Sequence, residues 1–267
     1  MVMLDSQFFR FSDGVLLPCS DAVSEVKLAA ADSFLVEDGR VRSLPAHEER
    51  FRNWVFDASP EAAKDLDGFL SQVRSALPTE GRWFPRLELH LNSESAGGAS
   101  GLFLRLRVAP EQLGEISLWT LPEADPRTVP KIKGPDLSLC MQLRRKAQLH
   151  GADEAVLLDS VGYLSEGALS SIVWWRSDVL CAPDSQSKWL HSITRDEVFE
   201  IAKSLGYQTR LEHVKPADLV GTEVWALSSL QGIRPVSQWV NLGSPLATPV
   251  HLEKFQRRLR LFASSVS

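Results

Sequence analysis

The sequence predicts a mixed α/β (α+β) chain in two parts. Three observations carry that reading. Strand-like apolar alternation and helical spacing are interleaved along the chain. An apolar content of 44% over 267 residues suits a globular core. Pro122, Pro126 and Pro130 crowd the segment Leu121–Pro130 and disfavour regular structure there. The expected organisation is an N-terminal domain over 1–120, a linker over 121–130 and a C-terminal domain over 131–267.

The elements follow in chain order. Asp38-Gly39, between the apolar-containing runs Phe34–Glu37 and Arg40–Arg42, signals a hairpin. Ser59-Pro60 marks a helix start, and Ala63, Leu66, Phe69, Leu70, Val73 and Leu77 then recur at helical spacing, which predicts one helix over about 60–77. Trp83–Leu91 and Leu102–Val108 alternate as strands around the small-residue loop Ser93–Gly101, with Arg105 and Arg107 on one face. Beyond the prolines, a helix is expected over about 135–150, then strands at Ala155–Asp159 and Ser170–Trp175 either side of a Gly162 turn. A loop from Pro183 to Thr194, a helix over about 195–205 and strands near 208–213, 222–228 and 234–240 complete the reading.

Charge and cysteine usage narrow the function classes. With 29 Lys+Arg against 34 Asp+Glu the net charge is −5, so no broad positive field serves nucleic acid or anionic lipid. Cys19, Cys140 and Cys181 are too widely spaced for a disulfide framework or a zinc site. No apolar run reaches membrane-spanning length, and Asp5 interrupts a start that lacks the basic, apolar pattern of a signal peptide. A reduced, cytoplasmic protein is expected, binding neither nucleic acid nor membrane.

Four features in the second half point to chemistry. Lys131 and Lys133, in Pro130-Lys-Ile-Lys-Gly-Pro135, precede a helix and are either a solvated connector or a source of a reactive amine. In Leu157–Ser171 a strand and turn deliver Glu166 into a run of small residues, which either leave room for a flat ligand or leave a turn glutamate facing solvent. His191-Ser192-Ile193-Thr194-Arg195 opens a helix, where unpaired N–H groups and the dipole suit a phosphate, or where Ser192 or Thr194 simply caps. Ser228-Ser229-Leu230-Gln231-Gly232 interrupts two strands, as a second phosphate-directed turn or an ordinary one.

In this order the features resemble the fold-type IV pyridoxal-phosphate enzymes, the class IV aminotransferases, which include branched-chain and D-amino-acid aminotransferases and aminodeoxychorismate lyase. The likeness runs from about Lys131 to Val236, with an echo of the family's His-x-x-Arg-Leu segment at His47-Glu48-Glu49-Arg50-Phe51. It implies an N-terminal α/β domain, a C-terminal domain with a barrel-like mixed sheet, and pyridoxal 5'-phosphate as cofactor. It places the Schiff base at Lys133, with Lys131 as competitor on the same strand face; Asp136 stands where the family has Asn or a similar residue opening the next helix. Glu166 becomes the partner of the pyridine nitrogen. The Ile193 and Thr194 N–H groups, the Thr194 hydroxyl, Ser229 (or Ser228) and Arg50 become the phosphate cradle.

Three features depart from the family pattern: Ser171 stands where Asn is common, Ser192 stands where Gly is common, and the tyrosine often found after the lysine-Asn pair is absent. For the substrate, Arg105 and Arg107 are either a carboxylate clamp or a solvated or salt-bridged pair. Trp174 and Trp175 either wall a pocket or pack in the core. The implied function is amino transfer between an amino acid and a 2-oxo acid. Aminodeoxychorismate lyase activity, giving 4-aminobenzoate and pyruvate, is the alternative, and a cofactor-free scaffold the second. The family resemblance further implies a homodimer.

Overall fold

A computed structural model describes residues 6–19, 26–92, 101–184, 186 and 188–266. The start Met1–Asp5, used above for the absence of a leader, and residues 93–100 of the small-residue loop lie outside the described residues. The chain folds into two compact units, the first made of Met1–Glu111, Ile132–Pro135 and Phe262–Ser267, the second of Gln112–Lys131 and Asp136–Leu261. The division therefore follows Glu111, earlier than expected, and the expected 121–130 linker is built into the second unit. Leu121 is 2% exposed in its core, and the Arg127 side chain is 5% exposed between two carboxylates.

The first unit begins with strands β1 (Ser6–Ser12), β2 (Val15–Pro18), β3 (Val26–Ser33), β4 (Val36–Glu37) and β5 (Arg40–Arg42). Helices α1 (Leu44–Ala58), α2 (Pro60–Ala63) and α3 (Leu66–Ala76) follow, then strands β6 (Arg82–Trp83), β7 (Arg86–Asn92) and β8 (Gly101–Arg107). An antiparallel sheet runs β2-β1-β8-β7-β3, and a small sheet joins β6, β4, β5 and the C-terminal strand Ala263–Ser265. The expected hairpin forms as β4 and β5, and both Asp38 (φ 48°) and Gly39 (φ 68°) take the left-handed conformation that its two-residue turn requires.

The expected helix over 60–77 is two helices. Ser59 caps α2 by accepting from Ala62 N at 3.3 Å, but α2 buries no side chain. The apolar stripe that docks, Leu66, Phe69, Leu70 and Val73, belongs to α3, so packing holds that piece at its own angle.

The second unit contains β9 (Ile116–Thr120), α4 (Leu137–Leu149), β10 (Glu154–Leu158), β11 (Leu164–Gly167), β12 (Ser171–Arg176) and β13 (Val179–Pro183). It continues with α5 (Ile193–Ser204), β14 (Gln208–Glu212), β15 (Val224–Ser228), β16 (Gly232–Trp239) and α6 (Leu252–Leu259). Eight strands form one mixed sheet ordered β11-β10-β9-β16-β15-β12-β13-β14, which curls until β11 approaches β12 and β13. Inside the curl lie Ile116, Leu118, Val156, Ile172, Trp174, Val224 and Val236.

Trp174 is fully buried there, and Trp175 stacks on His251 at 3.8 Å beside Trp225 and Phe255. Both tryptophans are core, each contributing about 1.5–3 kcal/mol or more by burial. Strands β9 and β13 and helix α6 are absent from the sequence reading. Glu166, expected in a turn, lies in strand β11, opposite Leu157. No helix among the described residues is long and apolar enough to cross a membrane.

Candidate active site

In the first unit the site is built on β3. The Ala31 N–H donates to the Lys133 carbonyl at 2.7 Å, and Gly134, at φ 140°, lies so close that a Cβ would stand 2.9 Å from Ala30 Cα. A glycine is needed at that position both for its conformation and for its contact. Gly134→Ala is expected to lower stability by about 1–3 kcal/mol, seen as a fall of several degrees in Tm.

One residue on, Asp32 is fully buried and accepts from three donors: His47 Nδ1 pairs with Oδ1 at 2.7 Å, Arg50 Nε with Oδ2 at 2.7 Å and Arg50 Nη2 with Oδ1 at 2.8 Å. Burial opposes ionisation, but Arg50 and His47 outweigh it and hold the Asp32 carboxyl far below the usual carboxylate range. Burial likewise lowers the pKa of His47. Lys133 is pulled down to about 8, first by burial and then by Arg50, Arg86 and Arg107, while Asp32 opposes the fall. Lys131 belongs to the second unit and is exposed.

Strands β7 and β8 carry a second ionic cluster. Buried Glu88 accepts from Arg86 Nε at 2.7 Å and Arg105 Nε at 2.8 Å, and pairs with His90 Nε2 at 2.6 Å. Burial alone would raise the Glu88 pKa, yet His90, Arg86 and Arg105 bring it down to about 2. Arg105 and Arg107 share a face, as expected, but not a partner. Arg107 donates to the Phe84 carbonyl at 3.2 Å and rests over the Phe84 ring, and burial and the like charges of Arg86 and Arg105 lower its pKa to about 10.

In the second unit, Glu166 Oε1 accepts from Arg127 Nη1 at 2.6 Å and from Leu190 N at 2.9 Å. Arg127 is held on its other edge by Asp125, with Nη2 2.8 Å from Oδ2, and donates to the Lys188 carbonyl. Burial raises the Glu166 pKa to about 7 against the pull of Arg127, whose charge Asp125 shares. The chain after Leu190 enters α5. Ser192 caps it, its Oγ accepting from Arg195 N at 3.2 Å, and the N–H groups of Ile193 and Thr194 stand at the positive end of the helix.

Helix α5 packs against β15, at whose end Ser228 Oγ accepts from Gln231 N at 3.1 Å in the turn that also holds Ser229. Ser171, at the start of β12, is opposite Leu227 on β15. Arg50 and Lys133 are thus gathered in one unit, and Glu166, Ser171, Ile193, Thr194, Ser228 and Ser229 in the other. Sequence reasoning passed over Asp32, Arg127 and Asp125 and gave His47 no role beyond the motif echo, yet these residues hold or balance the others.

The first unit thus holds a lysine whose charge is disfavoured, and the second a buried carboxylate and a hydroxyl-rich helix start on a curled mixed sheet. The model of the family described as amino-transferase class IV matches residues 29–239, and the chain belongs to that family. Its sequence is 34% identical over 125 residues to the branched-chain-amino-acid aminotransferase of Escherichia coli strain K12, covering 45% of this chain and 40% of that protein. The match to these curated relatives therefore spans well under half of their length.

Solved structures share the fold. The branched-chain aminotransferase of the thermophilic archaeon Thermoproteus uzoniensis with norvaline is similar with a TM-score of 0.79, at 16% identity over 98% of this chain and 99% of that one. A hypothetical aminotransferase of Mycobacterium tuberculosis in its α-ketoglutarate- and PMP-bound form gives 0.74, at 20% identity over 96% of this chain and 98% of that one. The architecture is that of fold-type IV enzymes.

Proposed function

We propose that the chain is a pyridoxal 5'-phosphate-dependent aminotransferase moving an amino group between an amino acid and a 2-oxo acid. The observation that carries this reading is Lys133, seated on β3 through its carbonyl and the Ala31 N–H, where burial and three arginines pull its amine down to about 8. When bound, the cofactor supplies the aldehyde that takes up the amino group and a ring that accepts the electrons released at the substrate α-carbon. The donor set fits it: a lysine with an accessible neutral form, a buried carboxylate for the ring nitrogen, and N–H groups with hydroxyls for the phosphate.

Each residue then has a task. Neutral Lys133 would hold the cofactor through its aldehyde, and its free amine would hold or deliver a proton at the substrate α-carbon. Glu166, kept in place by Arg127 and Leu190 N, holds a proton at the ring nitrogen. The Ile193 and Thr194 N–H groups, the Thr194 hydroxyl, Ser229 or Ser228, and Arg50 take the phosphate. Ser171 lines the cofactor-binding strand end. Ser192 is reconciled with this role because its side chain turns inward to Arg195 N as a cap.

Of the two strand arginines, Arg107 is the better receiver for a substrate carboxylate, since Glu88 already neutralises Arg105. Arg107→Leu should raise KM for amino donor or oxo acid about tenfold or more with a smaller change in kcat, whereas Arg105→Leu should mainly lower stability. Steady-state kinetics on both variants separates these outcomes.

The curated relatives' names favour transfer over the lyase reaction. Net amino transfer to an added 2-oxo acid supports the reading; pyruvate release with no acceptor would replace it with the lyase, and a chain that takes up no cofactor with the scaffold. A cytoplasmic homodimer accompanies the proposal.

A further inference from the structure

Asp32 is a fully buried acid that the proposed chemistry does not use. It lies in β3 next to Ala31, whose N–H binds the Lys133 carbonyl, so the strand that seats the lysine also carries the acid. Both carboxylate oxygens are engaged by α1, through His47 and two nitrogens of Arg50. We propose that Asp32 is a positioning residue that anchors Arg50 and His47 and supplies the negative charge offsetting Arg50, Arg86 and Arg107 at Lys133. Buried, ionised and held by three hydrogen bonds, it is a fixed countercharge rather than a group that titrates during turnover.

The charged and titratable groups acting on Lys133 come from every element around it: Asp32 on β3, His47 and Arg50 on α1, Arg86 on β7 and Arg107 on β8. Glu88 on β7 offsets Arg86 and Arg105, and Arg50 and Arg107 set against Asp32 still leave an excess of positive charge. Burial and that excess push the amine toward its neutral form. Asp32 limits the fall, so that the lysine both gives and recovers a proton near the working pH, where a shuttle is most effective. Without Asp32 the neutral form would be favoured further and proton recovery would suffer.

This inference rests on the role proposed for Lys133, but its test does not require the cofactor. Site-resolved reductive methylation of the cofactor-free protein between about pH 6 and 11, read by mass spectrometry, gives the midpoint at which Lys133 becomes reactive. Asp32→Asn should move that midpoint down by about one pH unit. Asp32→Glu, which keeps the charge, should return it toward the parent value. A folded Asp32→Asn protein whose midpoint stays within a few tenths of a unit overturns the proposal.

Should Asp32→Asn fail to fold, Arg50→Gln probes the same balance from the other side. It leaves the acid and removes one cation, so the midpoint should rise; an unmoved midpoint again overturns the proposal. Finding the cofactor attached elsewhere would defeat the role of Lys133 while leaving the labelling result intact.

Discussion

Lys133→Ala is expected to reduce amino transfer by about 10⁴-fold or more, because both covalent attachment and proton transfer depend on one amine. Cofactor capture by the cofactor-free protein should also show that amine's titration. Its folded-state pKa, about 8, lies below the ordinary lysine value of 10.5. The neutral fraction in the cofactor-free chain therefore grows as pH rises through about 8, and the rate of cofactor capture should climb over the same range. Below that window the protonated amine costs folding stability, since the unfolded chain keeps the higher affinity for the proton. Lys131→Ala serves as the control: its side chain is exposed, and its removal should leave activity within about twofold. A collapse on losing Lys131 with activity retained on losing Lys133 would reverse the assignment.

The second large effect belongs to Glu166. Glu166→Gln should slow the single-turnover reaction with an amino donor by about 10²-fold or more, since an amide supplies no negative charge to hold a proton at the ring nitrogen. The fold should survive the change. Gln still accepts from Leu190 N and Arg127, and Arg127 keeps its paired bonds to Asp125. A stability loss of about 1–3 kcal/mol is expected from weakening a buried charged hydrogen bond. A variant within about threefold of the parent rate would remove Glu166 from the chemistry.

Parts of the fold and of the proposed site are legible in the sequence where they lie at the ends of well-patterned elements. Ser192 caps α5, Asp38-Gly39 turns between β4 and β5, and Ser228 closes β15 before Gly232. The supporting residues are not legible in the same way. Helix α1 escapes hydrophobic periodicity because its buried face includes His47 and Glu48 among Leu44, Phe51, Trp54 and Val55. Glu48 is ion-paired with Arg74 and His47 with Asp32, so polar groups occupy positions that a pattern search expects to be apolar.

The proline-rich segment misleads for a related reason. Prolines mark broken secondary structure, yet a turn can still be buried when a charged side chain within it is fully partnered, as Arg127 is by Asp125 and Glu166. Likewise Arg105 and Arg107 read as equivalent from alternation alone. Only Glu88, two strand positions beyond Arg86 on the neighbouring strand, makes one of them structural.

Borohydride reduction of the purified protein loaded with pyridoxal 5'-phosphate, followed by peptide mapping, addresses the central assignment most directly. The cofactor should be found fixed to Lys133, with the visible absorbance of the loaded protein lost on adding an amino donor and restored by a 2-oxo acid. Cofactor fixed at Lys131, or at no defined lysine, would contradict it.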